Sequence, residues 1–357
     1  MKITENKCSH VVSNKAMPSK RKRKAPDEPP PEAETLDLSE QGPVKGFCDL
    51  MRIAKYVRDN LPKKKGRKPK HARGISRLDR ILPHLEELEK LVGLEDLKDQ
   101  IAMQIVFFLQ DLNSDEMMHT AIMGPPGMCK TTVSEIVAKI YADLGFLSQG
   151  HVVTATRADL IGQFLGETAI KTEAVLEEAE GGVLLIDEAY QLGDPRGRDS
   201  FASECMNTIN QYLSENTENF MCIVAGYKDK MYQNFFSMNP GLDRRFTWKF
   251  TLKPYTADDL VNIFAYQLNK GEWTYDKSVQ IIKYIKKEPK YFKNNGGDTQ
   301  VFFDKCKMCH AQRIFTLKEY EKKHLTSDDI ENGYKAFLQL KGVSENSSSE
   351  AWSAMYM

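Results

Sequence analysis

The chain has 357 residues, which allows two or three domains. Lys and Arg balance Asp and Glu at fifty each, but nineteen of the basic and only nine of the acidic residues lie within residues 1–75. The seven Cys follow no disulfide spacing and no secretory leader is recognisable, which excludes a disulfide-rich secreted class. The most apolar run, residues 101–109, is too short to cross a bilayer. We therefore expect a soluble intracellular protein with no membrane partner, a basic tail and an acidic body.

Residues 1–75 are predicted to form a disordered basic tail, because prolines and blocks of charge prevail and aromatics are few. The run from Lys20 to Lys24 (KRKRK) is either a nuclear import signal or a solvated charge run, so the expected compartment is the nucleus or otherwise the cytoplasm. The run from Lys63 to Arg73 has the Lys and Arg density of a nucleic-acid-binding arm. Since no aromatic is present to stack on bases, it predicts non-specific phosphate contact.

Apolar residues at helical spacing occur in three places before the first strand. Residues 47–59 (FCDLMRIAKYVRD) predict a short docking helix inside the tail. The globular pattern begins at Arg77, and the helical spacing that follows is interrupted by Gly93, which predicts two further helices. We place the start of the folded body at residue 76.

The stretch HTAIMGPPGMCKTT reads as a strand, a glycine-rich loop and the start of a helix. In a phosphate-binding loop, backbone N–H groups cradle a phosphate, a lysine reaches the terminal phosphates and a hydroxyl ligates Mg²⁺ at the helix N-terminus. The alternative is a glycine-rich turn beside a surface lysine. The loop predicts an ATP site in which Thr131 is a metal ligand. The candidate nucleotide-binding residues are Gly124, Pro125, Pro126, Gly127, Met128, Cys129, Lys130, Thr131 and Thr132.

Cys129 stands where a phosphate loop usually has glycine just before the lysine. That glycine tends to adopt a positive φ, and a residue with a Cβ held there costs on the order of 1–2 kcal/mol. We expect the affinity for nucleotide to be lowered but not lost. A helix N-terminus and Lys130 both favour a thiolate, so one hypothesis is a reactive thiol with a depressed pKa. The other is a tolerated small residue.

The segment VLLIDEAY, residues 183–190, reads as a buried parallel strand that ends in Asp187 and Glu188. Two carboxylates at the tip of a central strand are unfavourable without a cation. Beside Mg-ATP, Asp187 is predicted to hold the metal through water and Glu188 to orient and deprotonate the attacking water. The alternative is a solvated strand end.

Five strand-like runs alternate with helical stretches, which implies a parallel sheet with ligands at the carboxyl ends of its strands. The predicted fold is α/β, with a five-stranded parallel sheet and helices on both faces in residues 76–253, a small helical domain in residues 254–342 and a disordered tail in residues 343–357. The strand-like runs are residues 119–123, 151–156, 182–187, 221–226 and 248–252.

The segments GPPGMCKTT, ADLIGQFLGETAIKT, GGVLLIDEAY, IVAGYKDKM and NPGLDRRF occur in the order and spacing of the AAA+ ATPases. The chain resembles the branch that contains red-type rubisco activase and sporulation stage V protein K, and a related group from large DNA viruses. The similarity covers roughly residues 85–340 and omits the basic tail. It implies a ring, as a hexamer, that hydrolyses Mg-ATP to remodel a protein client threaded through a central pore, with the helical domain as the lid.

The resemblance also assigns residues. It implies that Arg245, with Arg244 as the second candidate, is an arginine finger for the neighbouring subunit's nucleotide. Ordinary surface cations are the alternative. It implies that Phe164, Leu165 and Gly166 form a pore loop that grips an extended polypeptide. For Phe164 the alternative is a place in the core.

Two positions depart from the family pattern. Gln300 stands where the second sensor has arginine, and Arg313 is thirteen residues away, about 20 Å along a helix. Tyr227 is the candidate first sensor, where Asn or Thr is commoner. These departures leave open a nucleotide-binding scaffold that scarcely turns over. The basic tail leaves open a nucleic-acid-associated ATPase or loader.

Overall fold

A computed structural model of the chain describes residues 38–60, 74–110, 117–164, 166–216, 219–276, 279–317 and 321–342. The basic runs from Lys20 to Lys24 and from Lys63 to Arg73 lie outside these residues, as do Leu165 of the predicted pore loop and the predicted tail at residues 343–357. The account below concerns the described part of the chain.

Five parallel strands form one sheet in the order β2-β3-β4-β1-β5. Strands β1, β3 and β4 are buried along their whole length, as expected for a parallel sheet covered on both faces. The predicted α/β fold is therefore confirmed, and each strand matches a predicted run to within a residue or two. The strands are β1 Thr120–Met123, β2 Val152–Ala155, β3 Val183–Ile186, β4 Met221–Gly226 and β5 Trp248–Thr251.

The strand order brings three motifs of the sequence to one edge of the sheet. Strand β4 pairs with β1 on one side and β3 on the other, all in parallel register. Because parallel strands end at the same edge, Gly124, Asp187 and Tyr227, which follow β1, β3 and β4, lie at neighbouring carboxyl ends. These strand ends position the candidate active site.

Helices pack around this sheet. The first of them, α1, buries its apolar face against α2 and α3, and Asp99 Oδ1 accepts a 2.8 Å hydrogen bond from Phe47 N. The helices are α1 Phe47–Asn60, α2 Arg77–Glu89, α3 Glu95–Leu109, α4 Lys130–Asp143, α5 Arg157–Leu160, α6 Glu167–Glu178, α7 Ser200–Glu215, α8 Lys228–Lys230 and α9 Pro240–Arg245.

The position of α1 corrects one boundary. We predicted a disordered tail up to residue 75, with a docking helix inside it. The helix forms, and Leu50, Ala54 and Val57 are buried in the body of the protein. Since an apolar stripe of this kind is stable only against a partner surface, the folded part begins before residue 76.

The helical domain follows β5 and has a core of its own, which includes Phe264, Phe302 and Phe337. Thr256 and Thr326 cap α10 and α13 through reciprocal bonds with Asp259 and Asp329, which fixes where both helices begin. None of the helices in the described ranges is both long and apolar enough to cross a membrane. Its elements are α10 Ala257–Lys270, β6 Thr274–Tyr275, α11 Ile281–Lys287, α12 Gly296–Ile314, β7 His324–Leu325 and α13 Ser327–Leu340.

Candidate active site

The loop between β1 and α4 has the backbone form of an anion-binding turn. Gly127 has φ 70°, and Cys129, the N-cap of α4, has φ 53° and ψ 30°. Gly127 is also obligatory on steric grounds, because a Cβ there would lie 1.8 Å from the carbonyl oxygen of Asn294. Left-handed residues on either side of Met128 turn N–H groups toward the mouth of the loop. The helix that follows directs its positive end at the same point.

Lys130 is buried at the base of this loop. Its Nζ donates to the carbonyl oxygen of Pro125 at 3.1 Å and lies 4.2 Å from the ring centroid of Tyr227. Partial desolvation lowers the pKa of Lys130, and the carboxylates of Glu188 and Asp187 oppose that shift. The ammonium is thus held among acceptors and an aromatic face at the carboxyl edge of the sheet.

The two carboxylates after β3 face the phosphate loop. Thr131 Oγ1 donates to Asp187 Oδ2 at 2.5 Å, so the two predicted metal ligands are in direct contact. Glu188 has φ 51° and ψ 39°, and its N–H donates to Asp187 Oδ1 at 2.8 Å. A left-handed glutamate is strained, and such strain often marks a residue held for function.

Tyr190 was not singled out from the sequence, although it lies only two residues beyond Glu188. Its hydroxyl lies beside the Glu188 carboxylate, which contributes to the shift of its pKa. Burial, and then the adjacent carboxylate, raise the pKa of Tyr190 to about 12, so the hydroxyl stays protonated. The Tyr190 and Tyr227 rings are 5.5 Å apart, and Lys230 Nζ lies over both of them. Glu188 therefore has a protonated hydroxyl beside it.

Cys129 has the left-handed backbone that we predicted, and the pKa of its thiol bears on the choice between a reactive thiolate and a tolerated small residue. Desolvation raises the pKa of the Cys129 thiol, and this outweighs the lowering by a hydrogen bond from Tyr255 and by the Lys130 ammonium. The sequence argument counted the favourable charges and omitted the desolvation of the thiol. A raised pKa favours the neutral thiol over the thiolate, which supports the tolerated small residue over the reactive cysteine.

Replacing Cys129 with glycine is expected to leave ATP binding at least as tight as in the parent, and up to about tenfold tighter, because glycine adopts a left-handed backbone without strain. Calorimetric titration with ATP measures the change. Cys129→Ala keeps the Cβ and removes the thiol, so it should match the parent. Weaker ATP binding by Cys129→Gly than by Cys129→Ala would contradict the backbone argument.

The two candidate finger residues lie at the end of α9 in different surroundings. Arg245 is half-buried, and its guanidinium donates to Asn210 Oδ1 at 2.7 Å and to Ser214 Oγ, both on α7. Arg244 is exposed, with no hydrogen bond or ion pair to any described residue. Arg245 is therefore held by hydrogen bonds within its own chain, whereas Arg244 has no such bond to any described residue.

The turn that precedes α6 exposes the predicted pore aromatic. Phe164 is 68% exposed, so a place for it in the core is excluded. Glu167 Oε2 accepts hydrogen bonds of 3.2 Å from the N–H groups of both Gln163 and Phe164, and Gly166 caps α6 with φ 82°. An aromatic ring therefore projects from a turn whose backbone is pinned.

Two residues of the helical domain that contact the loop were not singled out in the sequence. Asn295 and Gly296, just before the second-sensor position, donate to the carbonyl oxygens of Pro126 and Gly127. The only sequence signal was their place in the run NNGG, which reads as a turn. Gln300 instead donates to Asp304 on its own helix at 3.0 Å. Arg313, which we expected to lie too far away to replace the sensor arginine, forms an ion pair with Asp329 within the helical domain.

The residues at this edge fit Mg-ATP. Mg²⁺ prefers oxygen ligands, and the hydroxyl of Thr131 and the carboxylate of Asp187 already converge. Polyphosphate needs a left-handed loop, a lysine and a helix N-terminus, and residues 124–131 combine all three. A parallel α/β sheet with a phosphate loop after one strand and an acidic pair after another defines a P-loop ATPase.

The chain belongs to the AAA family. The family described as "ATPase family associated with various cellular activities (AAA)" matches residues 120–251. A cfxQ-like protein of Acanthamoeba polyphaga mimivirus is 33% identical over 281 residues, which cover 76% of this chain and 68% of that protein. The protein is thus an ATPase that binds ATP, from the branch of CfxQ-like proteins, as the sequence motifs implied.

Two further comparisons bear on branch and fold. The chloroplastic ribulose bisphosphate carboxylase/oxygenase activase of Cyanidioschyzon merolae is 32% identical over 264 residues, which cover 69% of this chain and 89% of that protein. The crystal structure of the FIGL-1 AAA domain in complex with ADP matches with a TM-score of 0.51 and 16% identity, over 74% of this chain and 87% of that one. The second likeness concerns the fold alone.

Proposed function

We propose that the protein assembles into a ring, as a hexamer, and uses the hydrolysis of Mg-ATP to pull a segment of a protein client through a central pore. The observation that carries this proposal is the exposed Phe164 on its pinned turn. A large aromatic kept in solvent gives contact area with any polypeptide at little entropic cost. One relative is named as the activase of another enzyme, which supports a protein client here.

In the proposed chemistry, residues 124–131 bind the phosphates of ATP, with Lys130 on the terminal ones. Thr131 and Asp187 would hold Mg²⁺, which when bound neutralises charge on the phosphate oxygens. Glu188 accepts a proton from water as the water oxygen attacks the γ-phosphorus and the bond to the bridging oxygen breaks. The protonated hydroxyl of Tyr190 lies beside the Glu188 carboxylate, and the left-handed backbone of Glu188 sets the direction of its side chain.

The arginine finger in this proposal comes from the neighbouring subunit. An arginine beside the transferring phosphoryl group stabilises its developing charge, which ties hydrolysis to assembly. We take Arg245 first and Arg244 second, as the family pattern implies. Tyr227, whose ring lies against Lys130 Nζ, is proposed as the first sensor because it is the polar residue at the end of β4.

Phe164→Ala is expected to leave basal ATP hydrolysis close to the parental rate, because Phe164 is exposed on the turn before α6 and is not part of the loop between β1 and α4. The same change is expected to abolish the stimulation of hydrolysis by an unfolded polypeptide, because the aromatic contact is lost. Phosphate release with and without casein measures both quantities. Ile170→Ala removes an equally exposed apolar side chain from α6 and is the control, expected to keep the stimulation. Parental stimulation of Phe164→Ala would exclude the pore role.

The same assay, run with DNA in place of casein, tests the second candidate function. The basic runs at Lys20 to Lys24 and Lys63 to Arg73 are its support. If DNA stimulates hydrolysis, casein does not, and the effect falls steeply with added salt, the protein is a nucleic-acid-associated ATPase. Stimulation by casein alone favours client threading. Since α1 is part of the fold, variants of the tail should keep residues 47–60.

A further inference from the structure

One turn of the lid is bonded directly to the phosphate loop. The N–H of Gly296 donates to the carbonyl oxygen of Gly127 at 3.1 Å, and the side-chain amide of Asn295 donates to the carbonyl oxygen of Pro126, also at 3.1 Å. Two consecutive carbonyls of the loop are thus held by two consecutive residues of the lid. A change in the direction of these peptide groups cannot occur without breaking or moving the lid contacts.

Asn295 joins three segments through one side chain. Its Nδ2 donates to Pro126 O and, at 3.4 Å, to Lys293 O, while its Oδ1 accepts a 3.2 Å bond from the N–H of Tyr255 in the connection to α10. Two carbonyls on one side and an N–H on the other fix the orientation of the amide. The residue is 4% exposed, so these bonds are shielded from water.

The backbone of Asn295 is held in a region that side chains avoid. Its φ is 50° and its ψ is −121°, a combination that glycine adopts far more easily. The neighbouring residues 296 and 297 are glycines, yet the chain has asparagine at this position. A strained asparagine whose whole amide is engaged indicates that the side chain has a role that glycine could not fill.

The lid turn that contains Asn295 is held in place by hydrogen bonds and an ion pair. Asp298, which is buried, accepts hydrogen bonds from the backbone N–H of Asn294 at 2.8 Å and from its Nδ2 at 3.2 Å. Lys341 at the end of α13 pairs with the same carboxylate at 2.7 Å. The turn is therefore fixed to both α12 and α13, so a displacement of the phosphate loop is passed to the lid and is not absorbed by the turn.

The bonds from Asn295 and Gly296 to the phosphate loop lie close in the chain to Gln300, which stands where the second sensor has a positively charged arginine. Gln300 is engaged with Asp304, and Arg313 with Asp329, so neither is available to a phosphate. We propose that Asn295 is the positioning residue that couples the phosphate loop to the lid, through its bond to Pro126 O. The coupling then depends on the conformation of the loop and needs no cation on the γ-phosphate. This inference rests on the proposed nucleotide site at residues 124–131.

Hydrogen exchange of the full chain tests the coupling, with saturating ADP or a non-hydrolysable ATP analogue. Exchange in α4 reports nucleotide binding, and exchange in the first turn of α12 reports the lid. In the parent, both nucleotides should slow hydrogen exchange in α4. The first turn of α12 should exchange at one rate with ADP bound and at a different rate with the ATP analogue bound. Asn295→Gly allows the backbone to keep its present φ and ψ and removes all three side-chain hydrogen bonds. Asn295→Asp keeps the acceptor for Tyr255 N and loses the donor to Pro126 O.

Both variants are expected to keep α4 protection and to lose the difference between the two nucleotides at α12. Asn262→Asp, an exposed change on α10, should behave as the parent. A purely structural role would speed exchange at α12 with either nucleotide and leave the difference in place, which would overturn the proposal. Loss of α4 protection in both variants would also overturn it, since Asn295 would then be needed for binding. Absence of α4 protection in the parent would instead refute the nucleotide site.

Discussion

Replacing Glu188 with glutamine is expected to lower ATP hydrolysis by about 10²–10⁴-fold, the usual contribution of a general base, and to leave ATP binding intact. Glutamine has the same size and keeps the left-handed backbone, but it cannot accept the proton of the attacking water. Lys130, Thr131 and Asp187 remain to hold Mg-ATP. Phosphate release measures the rate, and calorimetric titration measures the affinity.

Assembly should become easier to observe in the same variant, because ATP that is bound and not hydrolysed keeps the proposed ring closed. Sedimentation with and without ATP checks this. Glu331→Gln, an exposed substitution of the same kind on α13, is the control and should hydrolyse as the parent does. Hydrolysis at the parental rate by Glu188→Gln would show that another group activates the water.

Subunits with Arg245→Ala and subunits with Lys130→Ala are expected to be inactive alone and to regain part of the turnover when mixed. Loss of an arginine finger lowers turnover by about 10³–10⁵-fold, because the charge of the transferring group is no longer stabilised. In a mixed ring, an intact finger from a Lys130→Ala subunit faces an intact loop in an Arg245→Ala subunit. Phosphate release across a series of mixing ratios measures the rescue.

The contacts of Arg245 within its own chain make this mixing experiment necessary. Arg245→Ala also removes hydrogen bonds to Asn210 and Ser214, so its inactivity alone could reflect a damaged α7–α9 contact. A structural defect stays in its own subunit and cannot be rescued by a neighbour. If Arg244→Ala is the variant that is inactive and rescued, the exposed arginine is the finger. No rescue for either variant, in assemblies shown to form, would refute catalysis in trans.

The sequence alone determined the sheet and the residues at its carboxyl edge. Short apolar runs between helical stretches have few arrangements open to them, and the parallel sheet follows from that alternation. Gly124, Lys130, Asp187 and Glu188 each follow directly from a strand within a few residues. The position of each residue relative to the end of a strand therefore sufficed to predict that they lie together. The left-handed backbone of Cys129 was predictable for the same reason, since the loop is a local structure.

The tertiary structure alone decided the features that depend on residues distant in the chain. The thiol of Cys129 interacts with Tyr255, more than a hundred positions away, and its pKa is raised by desolvation in the fold. The burial of α1 depends on α2 and α3, and the composition of the tail gave no sign of those partners. The bond from Asn295 to Pro126 joins positions 169 residues apart. Pattern and propensity describe a residue and its sequence neighbours, whereas desolvation and hydrogen bonding depend on what the fold brings against them.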